Sequence, residues 1–345
     1  MNAPMNKPGG SRALVFRLAL LGAAGLTVLA WSAVRLRRAA AVPPPGRCVA
    51  DSSVRGAGAG PATNSSAYAE VRNVGTGFRE ARGLAVTPDG RIYAAGDRSV
   101  RIFGPDAEPA SFEVPGAPGC LAVSRDGLLY LGMGDHVEVF DHCGGAKARW
   151  EPAGSNSVVT CIAVGAESIW VADAGRREIL RYTRGGALAG RVAGRVGPDD
   201  GNALVVPSPH LDVAEDAAGR VWVANPGRHR FQVYVSNGVL TATWGFFSNE
   251  DPAGFTGCCN PADFALTPEG DVVAADKGEL ARVRIYSPDG RLKDTVADVG
   301  AFDARGKDCR GRGHDVAVDA RGRIYALDPA ANRIRVYAKK DGGHG

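Results

Sequence analysis

One pattern recurs six times along the chain and limits what it can fold into. Each copy has a short apolar strand, a turn that usually contains glycine, a second apolar strand ending near Asp or Asn, and a third strand closing on an aromatic residue. Equivalent positions recur every 37 to 52 residues. One such sheet cannot bury both of its faces alone, so the spacing predicts blades of a β-propeller. The copies occupy residues 83–103, 120–140, 161–182, 211–234, 262–286 and 314–337.

The predicted fold class is therefore all-β, a six-bladed β-propeller over residues 67–340 with a short tail at 341–345. The last copy ends on its third strand, while "AYAEVRNVG" (67–75) precedes the first copy. We expect this segment to supply the missing fourth strand, because a ring sealed by strands from both ends of the repeat region leaves no open edge.

The N-terminus contains an uncharged run of 17 residues from Leu18 to Val34. That length is at the short end of the range for a membrane-spanning helix. Arg35, Arg37 and Arg38 follow where a signal peptide would be cleaved, so we interpret the run as an uncleaved, single-pass signal anchor. A removed signal peptide and a buried core helix are the alternatives, and the basic residues on the two sides do not decide the orientation.

This interpretation divides the N-terminal part of the sequence into three segments. Residues 1–17 are expected to be cytoplasmic, 18–38 to be the transmembrane anchor, and 39–66, rich in Ala, Pro, Gly and Ser, to be a flexible linker. The propeller would then lie outside the cytoplasm, in the periplasm of a bacterium.

Charge is distributed unevenly between this N-terminal part and the propeller. The formal net charge is +4, but residues 1–55 hold eight basic residues and one acidic residue, which leaves 33 basic and 36 acidic residues in the remainder. The propeller has no basic excess, so we predict no nucleic-acid partner.

The first strand of each blade lines the central channel, and aligning the copies places six residues at one equivalent position near its start. They are Gly83, Cys120, Cys161, Asp212, Asp263 and Asp315. His210 and His314 lie just before two of these aspartates. Nitrogen and oxygen donors converging on a channel suit a divalent ion such as zinc, manganese or calcium. The candidate metal ligands are His210, Asp212, Asp263, His314 and Asp315.

The alternative for these aspartates is structural, because a carboxylate at a strand start can accept hydrogen bonds from backbone N–H groups of the preceding turn. The other four histidines fall on outer strands, turns or the tail, and we interpret them as solvated. They are His136, His142, His229 and His344.

The copies resemble NHL repeats, most closely in "VAVDARGRIYALDPAANRIRVY" (316–337), and the resemblance covers about residues 68–340. Amidating lyases are NHL-type propellers that hold zinc through histidines on inner strands. "SPHLDVAED" and "GHDVAVDA" are similar to two of those strands, whereas "CNPADFAL" has Asp263 in place of the third histidine. Sugar-lactone hydrolases, which use calcium, are a weaker match because no inner strand here begins with Glu. The resemblance implies the propeller fold and a metal-dependent lyase or hydrolase as one possible activity.

Two adjacent cysteines occur in "TGCCNPAD" (256–263), on the crossing into the fifth blade, and Cys309 lies on the crossing into the sixth. Neighbouring Cα atoms are about 3.8 Å apart, below the usual disulfide range of about 4.4–6.8 Å, which argues against a bond between them. We predict a Cys259–Cys309 disulfide, with Cys258–Cys309 as the alternative. It would close a loop of about 50 residues and stabilise the fold by roughly 4 kcal/mol. A redox or metal site formed by the adjacent thiols is the other hypothesis.

Three long connections between copies, at 198–210, 246–262 and 299–314, are candidates for a recognition face. "TWGFFSNEDPAGF" (243–255) adds an aromatic cluster suited to a partner contact, although the same residues could pack the crossing between blades. The cluster comprises Trp244, Phe246, Phe247 and Phe255.

Together these features predict a membrane-anchored, extracytoplasmic propeller that binds a protein or small ligand at its channel mouth. An enzyme is less favoured, since the sequence has no serine-nucleophile motif, phosphate-binding glycine loop or CxxC pair. The alternatives are a metal-dependent lyase or hydrolase using the five candidate ligands, and a component of a membrane redox assembly using Cys258, Cys259 and Cys309.

Overall fold

The structure, a computed structural model, describes residues 49–50, 66–104, 109–194, 201–278, 280–302 and 314–340. The chain divides between Pro43 and Pro44, and all described residues belong to the second unit, Pro44–Gly345. The predicted anchor at 18–38 lies outside the described residues, and no helix within them is long and apolar enough to cross a membrane.

The described residues of the second unit form six antiparallel sheets, one for each predicted blade. Two strands precede the repeats, β1 (Val49–Ala50) and β2 (Tyr68–Gly75). Blades 1 to 3 each contain four consecutive strands with the first innermost. Blade 1 contains β3 (Ala81–Val86), β4 (Ile92–Gly96), β5 (Ser99–Phe103) and β6 (Ala110–Glu113). Blade 2 contains β7 (Cys120–Val123), β8 (Leu129–Gly132), β9 (Val137–Phe140) and β10 (Ala146–Arg149). Blade 3 contains β11 (Val159–Val164), β12 (Ile169–Asp173), β13 (Glu178–Tyr182) and β14 (Leu188–Gly194).

Blades 4 to 6 follow the same order, with a turn of 3-10 helix at Pro226–Arg228 in blade 4. Blade 4 contains β15 (Asp212–Glu215), β16 (Val221–Asn225), β17 (Arg230–Tyr234) and β18 (Leu240–Trp244). Blade 5 contains β19 (Asp263–Leu266), β20 (Val272–Ala275), β21 (Val283–Tyr286) and β22 (Leu292–Ala297). Blade 6 contains β23 (Asp315–Val318), β24 (Ile324–Asp328) and β25 (Arg333–Lys339).

Burial decreases from the second strand of each blade to the fourth. Every residue of β12 and β16 is buried, because blades pack against both faces of these strands, whereas three of the four residues of β10 are exposed. Burial on both faces explains why the second strands are almost continuously apolar in the sequence.

The hydrophobic core is divided into six clusters, and each lies between two neighbouring blades. The cluster between blades 6 and 1 contains Leu84 and Ile92 from blade 1 with Tyr325 and Ile334 from blade 6. Since all six gaps between blades are filled in this way, the ring is closed by side-chain packing.

Strand β2 closes the ring through the backbone as well. It pairs antiparallel with β25 from Tyr68↔Lys339 to Gly75↔Arg333 and forms the outermost strand of blade 6. The predicted all-β, six-bladed propeller and its closing strand are thus confirmed. Two residues of the predicted linker, β1, pair with β6 as a fifth strand of blade 1.

We call one end of the propeller the mouth face. It carries the starts of the inner strands, the connections from each fourth strand to the next blade, and the connections between second and third strands. Because the strands of a blade are antiparallel, the remaining turns lie on the opposite face. The described parts of the three long connections named from the sequence, 201–210, 246–262 and 299–302 with 314, therefore belong to the mouth face.

Candidate functional site: the channel mouth and its loops

Strand pairing confirms that the six aligned residues occupy one structural position. Each pairs with the fourth residue of the second strand in its own blade. The pairs are Gly83↔Ala95, Cys120↔Gly132, Cys161↔Ala172, Asp212↔Ala224, Asp263↔Ala275 and Asp315↔Leu327.

The three aspartates at this position link successive blades. Asp212 Oδ2 accepts a hydrogen bond from the N–H of Phe264 at 2.6 Å, in the inner strand of blade 5. Asp263 Oδ1 accepts one from Val316 at 2.8 Å in blade 6, and Asp315 Oδ2 accepts one from Leu84 at 2.7 Å in blade 1. The donor that each aspartate shares with its neighbour thus belongs to the next blade and not to the turn before its own strand, and Asp212 Oδ1 also accepts from the N–H of Val213.

The other half of the ring uses different contacts. The Cys161 thiol lies 3.5 Å from the carbonyl oxygen of Val213 and donates to it, so blade 3 is joined to blade 4. A Cβ placed on Gly83 would lie only 3.1 Å from the Cα of Cys120. Glycine at this position therefore allows the inner strands of blades 1 and 2 to approach closely.

Burial raises the pKa values of the acidic groups around the channel. It raises the pKa of Asp212 to about 6. Burial, followed by the nearby Asp212 carboxylate, raises the pKa of Asp263 well above its usual range, and burial does the same for Asp315. The thiols of Cys120 and Cys161 also have pKa values raised by burial, so they stay protonated at neutral pH.

A cavity of about 350 Å³ opens at this position, and all five candidate metal ligands line it. His314 is only 6% exposed, and its ring packs on Phe302 with centroids 4.2 Å apart. Neither ring nitrogen of His314 makes a hydrogen bond of standard geometry to a described residue, although the backbone carbonyl of Asp276 lies close enough to raise its pKa. Burial lowers the pKa of His314, so the ring is neutral at pH 7. A buried, neutral imidazole without a hydrogen bond of standard geometry is available to a ligand in the cavity.

The five residues share a cavity without forming a ligand set. In the part of the chain that the structure describes, no three His, Cys, Asp or Glu side chains are arranged to hold a metal ion. Both oxygens of Asp212 already accept backbone hydrogen bonds, from Val213 and Phe264. A metal bound through all five residues stays a prediction.

The remaining histidines differ in environment. His142 is exposed, as expected, and His344 lies outside the described residues. The interpretation of His136 as solvated is wrong, since it is 9% exposed and its ring bridges Asp135 and Glu138. It can be buried because both ring nitrogens have carboxylate partners.

The segment 256–262, which we call the cysteine loop, crosses from blade 4 to blade 5 on the mouth face. The Asn260 side chain closes it, because Nδ2 donates to the carbonyl oxygens of Thr256 at 2.8 Å and Lys277 at 3.1 Å, while Oδ1 accepts from Lys277 N–H at 2.9 Å. Cys258 is exposed and Cys259 is 2% exposed. Cys309 lies outside the described residues, so the Cys259–Cys309 disulfide, and its Cys258 alternative, stay predictions.

The preceding segment 245–255, which we call the aromatic loop, divides the predicted aromatic cluster in two. Phe255 is fully buried against Phe231 and Tyr286, and Trp244 also packs on these two rings. These two aromatics fill the crossing between blades 4 and 5. Phe246 and Phe247 are instead 47% and 54% exposed.

Arg284 holds the aromatic loop in place and was not identified from the sequence. Its guanidinium contacts the Asp276 carboxylate at 2.5 Å and donates to the carbonyl oxygens of Pro252 and Gly254. It also lies over the rings of Phe255 and Tyr286. The available signal was an arginine inside the apolar third strand of blade 5, where a side chain lies between blades and needs a buried partner.

Comparisons with known proteins identify the fold and nothing finer. No family model matches the sequence, and no curated protein matches it. Virginiamycin B lyase from Staphylococcus aureus is similar in structure, with a TM-score of 0.55, 11% identity, and coverage of 79% of this chain and 99% of that one. The WD40 β-propeller domain of Doa1 gives a TM-score of 0.52 at 14% identity, covering 79% and 98%. A chain of the mitotic checkpoint complex gives 0.57 at 12% identity, covering 83% and 99%.

Proposed function

We propose that the protein is a membrane-anchored, extracytoplasmic propeller of the NHL type that binds a protein partner on its mouth face. The propeller architecture, which this chain shares with WD40 domains, is common among protein-binding scaffolds. The anchor rests on the apolar run at 18–34, and the NHL assignment rests on the repeat pattern.

The observation that carries the proposal is a set of exposed apolar side chains on neighbouring mouth-face loops. Phe246 and Phe247 lie between blades 4 and 5, Leu280 lies within blade 5, and Val299 lies between blades 5 and 6. Their exposed fractions are 47%, 54%, 38% and 48%. Exposed apolar groups gathered on one region of a surface are typical of interaction sites, and aromatic residues are enriched at interface centres.

The aromatic loop presents Phe246 and Phe247 from a fixed backbone. Phe247 pairs with Phe255 in an isolated bridge, and the N–H of Phe255 donates to the carbonyl of Phe246 at 2.9 Å. Phe255 itself is buried in the core between blades. A rigid apolar loop loses little conformational entropy when a partner binds, which favours affinity.

The experiment is site-specific photocrosslinking of the full-length protein in its native membrane. A photoreactive phenylalanine analogue replaces Phe247, and the matched control carries it at Val239, which is 56% exposed on the opposite face. We expect one discrete crosslinked species from position 247, and its loss when Phe246 is also changed to Ser. Equal products from both positions, or none from position 247, would contradict binding at the mouth face.

The anchor is tested separately. Membranes are washed at alkaline pH, and the full chain is compared with a chain that lacks residues 1–38. We expect only the full chain to stay in the membrane pellet, and protease added outside the cytoplasm to digest the propeller. Release of the full chain by the wash would contradict the anchor.

A second candidate function is a metal-dependent lyase or hydrolase at the channel mouth. The observation in its favour is His314, a buried imidazole whose ring nitrogens make no hydrogen bond of standard geometry and which lines the same cavity as His210. The test is the metal content of the purified full chain beside a His210→Ala, His314→Ala double variant. About one ion per chain, lost in the variant, would favour this function; a folded wild type without stoichiometric metal would remove it.

A further inference from the structure

The two adjacent cysteines of the cysteine loop bring their sulfur atoms together. Cys258 Sγ and Cys259 Sγ are 2.8 Å apart. In an extended chain successive side chains point to opposite sides, so the sulfurs of neighbouring cysteines normally diverge. The backbone of this loop must therefore turn between them, so that the loop holds the two sulfurs side by side.

The backbone on both sides of the pair is fixed. The Asn260 amide binds Thr256 before the cysteines and Lys277 in the next blade, and Asn260 is itself 2% exposed. Ala262 N–H then donates to the carbonyl of Ala275 at 3.0 Å, which begins the pairing of β19 with β20. A loop held at both ends maintains the proximity of the sulfurs without help from a ligand.

We propose that Cys258 and Cys259 form a redox-active dithiol that is converted reversibly into a vicinal disulfide by exchange with a low-molecular-weight disulfide. The proposal is independent of the proposed binding function, since it uses neither the exposed apolar side chains nor the channel cavity. It also differs from the predicted staple to Cys309, which would join two blades.

The close spacing of adjacent cysteines favours a reversible bond over a structural one. Cα atoms about 3.8 Å apart lie below the usual disulfide range, and disulfides outside that range are strained and more easily reduced. Strained or exposed disulfides belong to the labile, regulatory class. A bond between neighbours also closes almost no loop, so it contributes little to stability.

Different exposure of the two thiols assigns their roles. Cys258 is exposed, so its thiolate attacks one sulfur of the small disulfide and expels the other half as a thiolate. Cys259 is buried but adjacent, so its thiolate then attacks the Cys258 sulfur and expels the second half. In total the two cysteines lose two protons and two electrons, and the small disulfide is reduced to two thiols.

The described cysteines elsewhere in the propeller lack this arrangement. Cys120 and Cys161 lie at inner strands, and burial raises the pKa of each thiol well above its usual range. Cys143 is half-buried in a turn of blade 2. Cys143→Ser is therefore a matched control that removes a thiol without touching the cysteine loop.

The experiment uses the full chain in detergent, equilibrated in buffers of graded reduced-to-oxidised glutathione ratio. Remaining thiols are alkylated and the protein is digested with trypsin. The sequence has no Lys or Arg between Phe231 and Lys277, so both cysteines fall in one peptide, whereas Cys309 falls in the peptide 308–310. An internal bond is thus separated by mass from a bond to Cys309.

We expect the 231–277 peptide to lose two hydrogen atoms reversibly as the buffer becomes more oxidising, in the wild type, in Cys309→Ser and in Cys143→Ser. In Cys259→Ser we expect a stable glutathione adduct on Cys258, whereas Cys258→Ser should form no adduct on buried Cys259. Circular dichroism checks that each variant is folded.

Two results would overturn the proposal. One is a wild type whose only oxidised product joins the 231–277 peptide to the 308–310 peptide. The other is full alkylation of both thiols in Cys309→Ser at every glutathione ratio.

Discussion

Two properties of the channel aspartates, their hydrogen bonding and their charge, have opposite effects on stability at neutral pH. These residues are Asp212, Asp263 and Asp315. Each provides an oxygen that accepts an N–H group of the next blade, which a neutral side chain could also provide. Each also carries an ionisable group in a buried site near other carboxyls, which disfavours the charged form. The hydrogen bonds stabilise the ring, and the charges oppose it.

Replacing Asp263 with Asn should separate these two effects. Asn keeps an oxygen for the Val316 N–H but cannot ionise. Because the folded-state pKa of Asp263 is raised, its contribution to stability is complete below the unfolded pKa and is lost as pH rises through the folded pKa. We expect the free energy of unfolding of Asp263→Asn, relative to wild type, to increase between pH 5 and pH 8, by at most about 4 kcal/mol over these three pH units, since one pKa unit corresponds to about 1.4 kcal/mol. Urea unfolding at the two pH values measures it.

Asp89→Asn is the control for this prediction. Asp89 is exposed, and a hydrogen bond from the Thr87 hydroxyl lowers its pKa. Because the folded-state pKa of Asp89 is lowered, its contribution to the free energy of unfolding is constant above the unfolded-state pKa. The effect of Asp89→Asn on stability should therefore be the same at pH 5 and pH 8. If the stability of Asp263→Asn relative to wild type stayed constant or fell as the pH rose, this would contradict a raised pKa for the channel carboxyls.

Arg284 should be among the most sensitive residues of blade 5. Changing it to Met leaves Asp276 with only Arg282 as an ion-pair partner at 3.2 Å, removes the donor to Pro252, and leaves Gly254 with Arg282 as its side-chain donor at 3.3 Å. We expect a loss of about 3–5 kcal/mol in the free energy of unfolding, because the remaining buried carboxylate is poorly compensated. The Asp276→Asn, Arg284→Met double variant should recover part of that loss, and a single-variant loss below about 1 kcal/mol would contradict this role.

At the scale of elements, strand β2 connects the two ends of the repeat region. Tyr68 at its start packs in the cluster between blades 5 and 6, and Val74, 4% exposed, packs in the cluster between blades 6 and 1, whereas Val71 is 54% exposed. Glu70 adds an ion pair to Arg335 of β25 at 2.9 Å. The strand is thus held by its backbone ladder, by apolar packing and by a charge pair.

Val74→Asp and Val71→Asp form a matched pair that tests this closure. The first places an unpaired carboxylate in the core between blades 6 and 1, and we expect it to cost about 3 kcal/mol or more. The second changes an exposed position of the same strand and should alter stability by about 0.5 kcal/mol or less. Thermal unfolding measures both, and gel filtration should show association of Val74→Asp only, since an open ring exposes strand edges. Equal effects of the two changes would contradict the closure.

The elements were predictable from the sequence because their signals are local and repeated. Six copies with period-two alternation fix the strands, and the unpaired third strand of the last copy required β2. The edge strand β1 was missed because two residues within a segment rich in Ala, Pro, Gly and Ser carry no alternation. The aspartate position was also predictable, since strand register repeats with the pattern.

The contacts of the site were less predictable because they join residues far apart in sequence. Alignment placed Asp212 at the channel but could not show that its donor is Phe264 in the next blade. Pattern alone could not tell exposed Phe247 from buried Phe255, because both are aromatic residues of one connection. The direction of a loop side chain is set by tertiary packing, which periodicity does not record.

For the whole molecule, cores that lie between blades predict cooperative unfolding. Each blade supplies one side of two clusters, so loss of one blade exposes its neighbours. Ile324 in blade 6 is fully buried, while the described tryptophans lie in blades 2, 3 and 4. A destabilising change in blade 6 should therefore shift the unfolding midpoint that is measured by the fluorescence of these tryptophans in other blades.

Ile324→Ala, made in a chain with Trp31 replaced by Phe, tests this. We expect a loss of about 2–4 kcal/mol and one transition in which tryptophan fluorescence and far-UV circular dichroism coincide. Leu188→Ala, at an exposed position, is the control and should leave the midpoint unchanged. A fluorescence midpoint equal to that of the wild type, with a shifted dichroism midpoint, would show that the blades unfold separately.

Blade 6 combines strands from both ends of the repeat region, and this sets the order in which the blades can be completed during biosynthesis. Strand β2 is made before every complete blade, but its partner β25 follows more than 250 residues later, as the separation of 265 residues between Glu70 and Arg335 shows. At about 5–20 residues per second, β2 waits unpaired for on the order of tens of seconds. Blades 1 to 5 contain all their own strands and can form as the chain grows, whereas the ring can close only when translation is nearly complete. Polar residues alternate along β2, including Glu70 and Arg72, and they keep the strand solvated until β25 is made.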